Sequence, residues 1–181
     1  MCELKPLSLS SCASSDGGLV KTYLTSCTNI ADIIFDANEQ ITGFAMTGTG
    51  LWIEYEYDTD TQQTYYNQDG ERKGNKHIYN QEAYMNFSGL NNEKRLALKG
   101  ITKCCCLVAV HYLGSGLAVV QGIYYNTDTG IWSTGKEKLK GIGKFNTQTG
   151  ADEDIMGVTL VSKSLDPSNF TTITETALQA L

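Results

Sequence analysis

The stretch Leu51-Trp52-Ile53-Glu54-Tyr55-Glu56-Tyr57-Asp58-Thr59-Asp60 decides the fold class. Leu51, Ile53, Tyr55 and Tyr57 alternate with Glu54, Glu56, Asp58 and Asp60. A period of two belongs to a β-strand with one buried and one wet face. Four carboxylates on one face of a strand repel each other unless water screens them, so that face is expected to be solvated. Two readings fit it: an ordinary wet sheet surface, and the wall of an aqueous channel formed by Glu54, Glu56, Asp58 and Asp60.

The polar run continues to Asn67, a Gly-bearing loop follows at 68–75, and the chain returns as Lys76 to Ser88 with Tyr79, Ala83, Met85 and Phe87 on one face. Two strands around a polar loop predict an extended hairpin over 51–88. Each arm exceeds the usual five or six residues of a strand; a dozen residues at ~3.3 Å each reach about 40 Å. So long an apolar face needs cover. Leu51, Ile53, Tyr55, Tyr57, Tyr79, Met85 and Phe87 are therefore expected at an interface between subunits.

Elsewhere, strands are predicted near Val20–Leu24, Ile41–Thr47, Leu117–Tyr125 and Ile155–Ser164, with Ile131–Thr134 able to pair back. Residues 29–37 fit either a bulged strand or a short helical turn. Cys104 to Leu113 is a continuous apolar run of the kind a fully buried strand shows. The one clear helix lies in 89–100, with Asn91 or Asn92 as cap, Glu93 in the first turn and Gly100 as its end. Residues 135–154, rich in Gly, Lys, Asn and Asp, read as a loop. The Ser-rich residues 1–18 read as an N-terminal arm, 19–167 as one β domain, and 168–181 as a C-terminal arm with room for a short helix at 175–181. The fold class is mainly β: a β-sandwich or partly closed barrel with one short α-helix and a long β-hairpin.

The chain has 181 residues, enough for one domain with a sizeable core. Its 20 acidic against 14 basic residues argue against gripping nucleic acid, which takes a basic stripe, but suit a wall that DNA slides past. No apolar run approaches the ~20 residues of a membrane span. Met1-Cys2-Glu3-Leu4-Lys5-Pro6 is not a basic-then-apolar leader, so the protein is expected in a cytoplasm or packed into a particle there. The six cysteines lack paired Cys-x-x-Cys zinc spacing and read as small buried hydrophobes, with Cys104 and Cys106 able to share a strand face.

Site chemistry is sparse. His77 and His111 are the two histidines, and Cys106 and His111, five apart on a strand, point to opposite faces. Gly48-Thr49-Gly50 and Gly114-Ser115-Gly116 lack the Lys and following helix of a phosphate loop. Asp58-Thr59-Asp60 and Asp152-Glu153-Asp154 are fragments of, not matches to, a calcium loop. No catalytic, cofactor-binding or metal-ligating set is expected, and no enzyme activity.

Tyr79 to Gly89, then Leu90-Asn91-Asn92-Glu93-Lys94-Arg95, then Cys106-Leu107-Val108-Ala109-Val110 resemble a pattern in tail-tube-like and head–tail connector ring proteins of tailed bacteriophages, including crAss-like and other Bacteroides phages. The likeness continues through Gln121-Gly122-Ile123-Tyr124, the Gly-rich 130–150 and Gly157-Val158-Thr159-Leu160-Val161, closing on Leu165-Asp166-Pro167. It implies a tail-tube fold in a six- or twelve-fold homo-oligomeric ring of a virion, assembled in the bacterial host cytoplasm. Its implied partners are neighbouring tail, ring or portal proteins and passing genomic DNA bound without sequence specificity, with no membrane. The Cys triplet and Leu113-Gly114-Ser115-Gly116 depart from the pattern and leave tube and connector ring both open. A cell-surface or carbohydrate-binding β module is the alternative function.

Overall fold

A computed structural model gives the architecture. It describes residues 18–48, 50–56, 64–88, 91–126, 128–135, 138–146, 155–167 and 169–181, with side chains omitted at 88, 144–146 and 155–156. The protein is mainly β, as expected. Seven strands form one sheet in the order β2-β3-β13-β8-β7-β1-β4: β1 Leu19–Ser26, β2 Ile30–Phe35, β3 Ile41–Met46, β4 Ile53–Glu56, β7 Leu107–Leu113, β8 Ala118–Gln121 and β13 Phe170–Thr171. Four longer strands form a second sheet, β11-β12-β6-β5, from β5 Tyr65–Lys73, β6 Lys76–Ser88, β11 Leu139–Asn146 and β12 Ile155–Ser164. Strands β9 Ile123–Asn126 and β10 Ile131–Thr134 pair as a separate hairpin. Two α-helices, α1 Asn92–Lys103 and α2 Glu175–Gln179, and one 3-10 turn at Cys27–Asn29 complete the described regular elements.

Strands β1 and β7 lie inside the large sheet and are buried on both faces, which explains the unbroken apolar reading of β7. Leu24, Leu107 and Ala109 face the four-stranded sheet and form one core with Met85, Phe87, Leu160 and the Ala97 and Ile101 side chains of α1. Tyr23, Val108 and Val110 point the other way, into a second core with Ile33, Phe44, Trp52, Ile173 and Leu178. The rings of Phe44 and Trp52 meet at 5.0 Å.

Several expectations are corrected. The hairpin does not span 51–88: β4 pairs with β1, Ile53 opposite Leu24 and Tyr55 opposite Thr22, and only β5 and β6 form the hairpin. Its strands run on to Lys73 and from Lys76, so the expected loop shrinks to Gly74-Asn75. Gly74 has φ +62°, as the first position of a type II′ hairpin turn requires. Helix α1 begins at its Asn91 cap, whose side chain accepts from Lys94 N, but passes through Gly100 to Lys103. The Gly-rich 135–154 holds strand β11. Gly141 and Gly143 lie where a Cβ would come within 2.8 Å of Ile101 and 3.1 Å of Thr102, so their lack of a side chain lets α1 settle on the strand. The run Leu117–Tyr125 is divided at Gly122 into β8 and β9. At the C-terminus, β13 pairs with β3 and β8, and Ile173 and Leu178 are buried in the second core, so this segment belongs to the body.

Candidate assembly surface

The four-stranded sheet has a dry face and an open one. Ala83, Met85, Phe87, Val158 and Leu160 point into the core. Their neighbours along each strand point outward: Asn67 and Asp69 on β5, Asn80, Glu82 and Tyr84 on β6, Thr159, Val161 and Lys163 on β12, Lys140 and Ile142 on β11. Helix α1 packs on the core side, against β11 and β12. No other described element is hydrogen-bonded to the outer margins of β5 and β11. At the hairpin's end, every residue from Asp69 to His77 is exposed, so the tip projects beyond the body.

The open face is polar and internally braced. Tyr65 stacks on Tyr84 with ring centroids 5.7 Å apart, and its hydroxyl donates to the Glu82 carboxylate. That bond, then burial, pushes the Tyr65 phenol up to about 12. Burial raises Tyr84 too, whose ring occupies the space that a side chain at Gly157 would fill.

The acidic stripe is placed differently from the reading of the sequence. Glu54 and Glu56 sit on β4, at the edge of the other sheet. Lys21 of β1 reaches Glu54 at 2.8 Å, Glu56 at 3.2 Å and Glu175 of α2 at 2.8 Å. Gln179 donates to Glu54 at 2.9 Å and to the Tyr23 hydroxyl at 3.2 Å. Burial alone would lower the Lys21 ammonium and raise the Glu54 carboxyl; the bonds of Lys21 to Glu175, Glu54 and Glu56 outweigh it and hold Lys21 up, and the bond and charge of Lys21 hold Glu54 down. Burial, with Glu54 and Glu175 beside it, raises the Tyr23 phenol. The expected solvated, self-repelling row is thus a clamp that holds the C-terminal helix to β1 and β4. Asp58 and Asp60 lie outside the described residues, as does Tyr57.

The expected interface set is also redistributed. Tyr55, Met85 and Phe87 are fully buried in the molecule's own first core, and Ile53 is half-buried against it. A strand this long finds its cover inside the molecule because the seven-stranded sheet lies across it. Tyr79 is half-buried, packed over Gly70. Leu51 alone of the described set stays open, 60 % exposed.

No protein family, curated protein or solved structure matches this chain. The functional reading therefore rests on its own geometry.

Two features escaped the sequence reading. A buried polar chain crosses between the sheets. The Thr22 hydroxyl donates to His111 Nδ1 at 2.7 Å, and His111 Nε2 donates to Gln121 Oε1 at 2.9 Å. Gln121 Nε2 donates to Ser162 Oγ at 3.0 Å and to the Gln81 carbonyl at 3.1 Å, and Ser162 donates to Gln81 Oε1 at 2.7 Å. The amide nitrogen of Gln121 faces acceptors, so its oxygen faces the ring and fixes the neutral Nε2–H tautomer. Burial lowers His111 to about 4, with its bond to Gln121 working against that. Single polar residues inside apolar strands, His111 and Gln121, were the available signal.

The second is a disulfide between Cys27 and Cys106, 79 residues apart with Cα atoms 5.3 Å from each other. Cys104 is disulfide-bonded as well, and Cys105 is an exposed thiol. The reading of these cysteines as simple buried hydrophobes is corrected. The turn after β1 lies beside the start of β7, where Cys27 N donates to Cys106 O at 3.2 Å, and that proximity places the pair within bridging geometry. Among the described residues no group of three metal-ligating side chains converges, and no helix is long and apolar enough to cross a membrane.

Proposed function

We propose that this protein is a structural subunit that joins copies of itself into a ring, of the kind found in the tail or head–tail connector of a tailed phage. The observation that carries the reading is the four-stranded sheet with two open margins and a bare polar face. Unpaired strand edges are templates for another chain unless something covers them, and closing a sheet on itself removes them. Neighbours in this sheet are all antiparallel. With an even strand count, β5 and β11 run opposite ways, so rotated copies set edge to edge continue the alternation. Six copies give about twenty-four strands; at ~4.8 Å spacing and ~40° tilt the wall is roughly 48 Å across, backbone to backbone. The polar outer face would border the lumen, in place of the stripe at Glu54 and Glu56, and DNA would pass without sequence-specific contact. Neighbouring tail, ring or portal proteins would meet the ring's ends.

Electron microscopy and sedimentation velocity of the purified protein test this. Rings or tubes are expected; a stable solitary monomer at high concentration sinks the proposal. The Cys27–Cys106 bridge favours a second reading, a cell-surface or carbohydrate-binding module, since disulfides persist in oxidising surroundings; virion surfaces are among these too. A monomer that binds glycans would decide for that alternative.

A further inference from the structure

Beside the turn between β2 and β3, a hollow of about 610 Å³ takes its walls from both large sheets and from the β9–β10 hairpin. Tyr66 of β5, Trp132 of β10 and Phe170 of β13 bring aromatic rings to it, and Phe170 is left 48 % exposed. Asn38, Gln40, Gln68 and Asn169 bring amides. Glu39 and Asp166 are the charged residues of the lining; no Lys, Arg or His lies there among the described residues. Neither carboxylate is in an ion pair among the described residues.

The backbone at Glu39 is a second, independent sign. Glu39 has φ +62°, and every other described residue with positive φ is a glycine. The turn imposes this conformation. Asp36 Oδ1 accepts from Asn38 N at 2.8 Å and from Gln40 N at 2.9 Å, and Asp36 N donates to the Gln40 carbonyl at 2.9 Å. Asn169 Nδ2 donates to the Glu39 carbonyl at 3.4 Å and ties the turn to the chain just before β13. Glycine would fit such a turn without strain. A larger residue held there by its surroundings, at a backbone cost, is a feature of ligand clamps.

The lining selects the class of ligand. An anion would meet two carboxylates and no cation. A wholly apolar ligand would strip water from the carboxylates and amides without replacing their bonds. An organic cation would use the rings and carboxylates and leave the amides idle. A neutral sugar uses all three: its C–H face covers a ring, and its hydroxyls, donors and acceptors at once, match carboxylates and amides. We propose that this hollow binds a neutral saccharide, with Glu39 and Asp166 accepting hydrogen bonds from its hydroxyls. The inference rests on the second reading above, the carbohydrate-binding module, and gives it a site.

An array of neutral hexose and N-acetylhexosamine oligosaccharides, followed by calorimetric titration of the best binder, tests this on the intact protein. Choline and a heparin oligosaccharide serve as cationic and anionic counterparts. E39G and D166N are each expected to weaken the neutral sugar roughly tenfold or more. The urea midpoint of E39G should match or exceed that of wild type, since glycine relieves the left-handed backbone. If E39G fails to fold, D166N decides by the same criterion. Neutral-sugar binding that is equal in wild type and both variants overturns the hollow as the site and leaves the module reading standing. No binding to any sugar on the array overturns both. Choline or heparin bound in place of a neutral sugar, with the same loss in the variants, overturns the saccharide assignment.

Discussion

The Nε2 of His111 lies 2.9 Å from Oε1 of Gln121, and both side chains are fully buried between the two sheets. No charged group takes part in the chain of bonds from Thr22 through His111, Gln121 and Ser162 to Gln81, and the ring of Tyr66 covers the imidazole at 5.5 Å. A protonated ring would have to donate at Nδ1 as well, with no solvent at hand to spread the charge.

Stability should therefore fall in acid. The folded His111 titrates near 4, against 6.5 for an ordinary imidazole. The unfolded chain thus binds the extra proton first as pH drops, and stability is lost from about 6.5 down to 4. A shift of this size corresponds to about 3 kcal/mol. Urea unfolding of wild type and H111Q across that range checks it; equal slopes for the two would remove His111 as the cause.

Lys21 holds three carboxylates from two elements, so K21M should cost about 1–3 kcal/mol and free α2 before it unfolds the body. Hydrogen exchange should accelerate at residues 175–181 more than in β7. Because Glu54 is held below its ordinary value, the stability it lends exists above the usual carboxylate range and disappears as pH falls through it. Uniform exchange across K21M would contradict the clamp.

The bridge between Cys27 and Cys106 closes a loop with a sequence separation of 79. Loop-closure entropy sets its worth at about 4 kcal/mol. C27S/C106S should lose that much in urea unfolding while keeping its strand content by circular dichroism. A loss under 1 kcal/mol would mean that packing alone holds the start of β7 to the turn after β1.

Two glycines with positive φ should respond unequally to alanine. At Gly116, φ +82°, an added Cβ meets nothing within 4 Å; at Gly122, φ +95°, it would stand 2.6 Å from the Leu107 carbonyl and 3.0 Å from Leu139. G116A should cost about 1 kcal/mol, from backbone conformation alone. G122A should cost more than 3 kcal/mol or prevent folding. Comparable midpoints for the two variants would show that the backbone at 122 moves aside freely.

How far the sequence could be read depends on the range of the interaction concerned. Alternation in β4 showed that Ile53 and Tyr55 face inward and Glu54 and Glu56 outward, because side-chain direction is a local property of the strand. It could not show Lys21, which neutralises those acids from a strand more than thirty positions earlier. The hairpin around Gly74 was legible from its turn residues, yet the run before it was joined to the wrong sheet, since pairing partners leave no mark on a single strand. Gly141 and Gly143 hid β11 by looking like loop residues; their spacing of two was the sign of a strand face pressed against a helix. The bare outer face of the four-stranded sheet followed from no local pattern, because it depends on which side α1 takes.

Gly122 joins β8 of the large sheet to β9 of the small hairpin by a single bend. The hairpin shares no row of backbone bonds with the large sheet; it is held by this bend and by side chains, the Trp132 ring 5.8 Å from that of Phe35 and the Thr134 hydroxyl donating to the Cys27 carbonyl at 3.3 Å. Load placed on Tyr124 and Tyr125 therefore reaches the second core by two routes, the bend at Gly122 and the far strand of the hairpin. The stiffness of this small flap is set by both together.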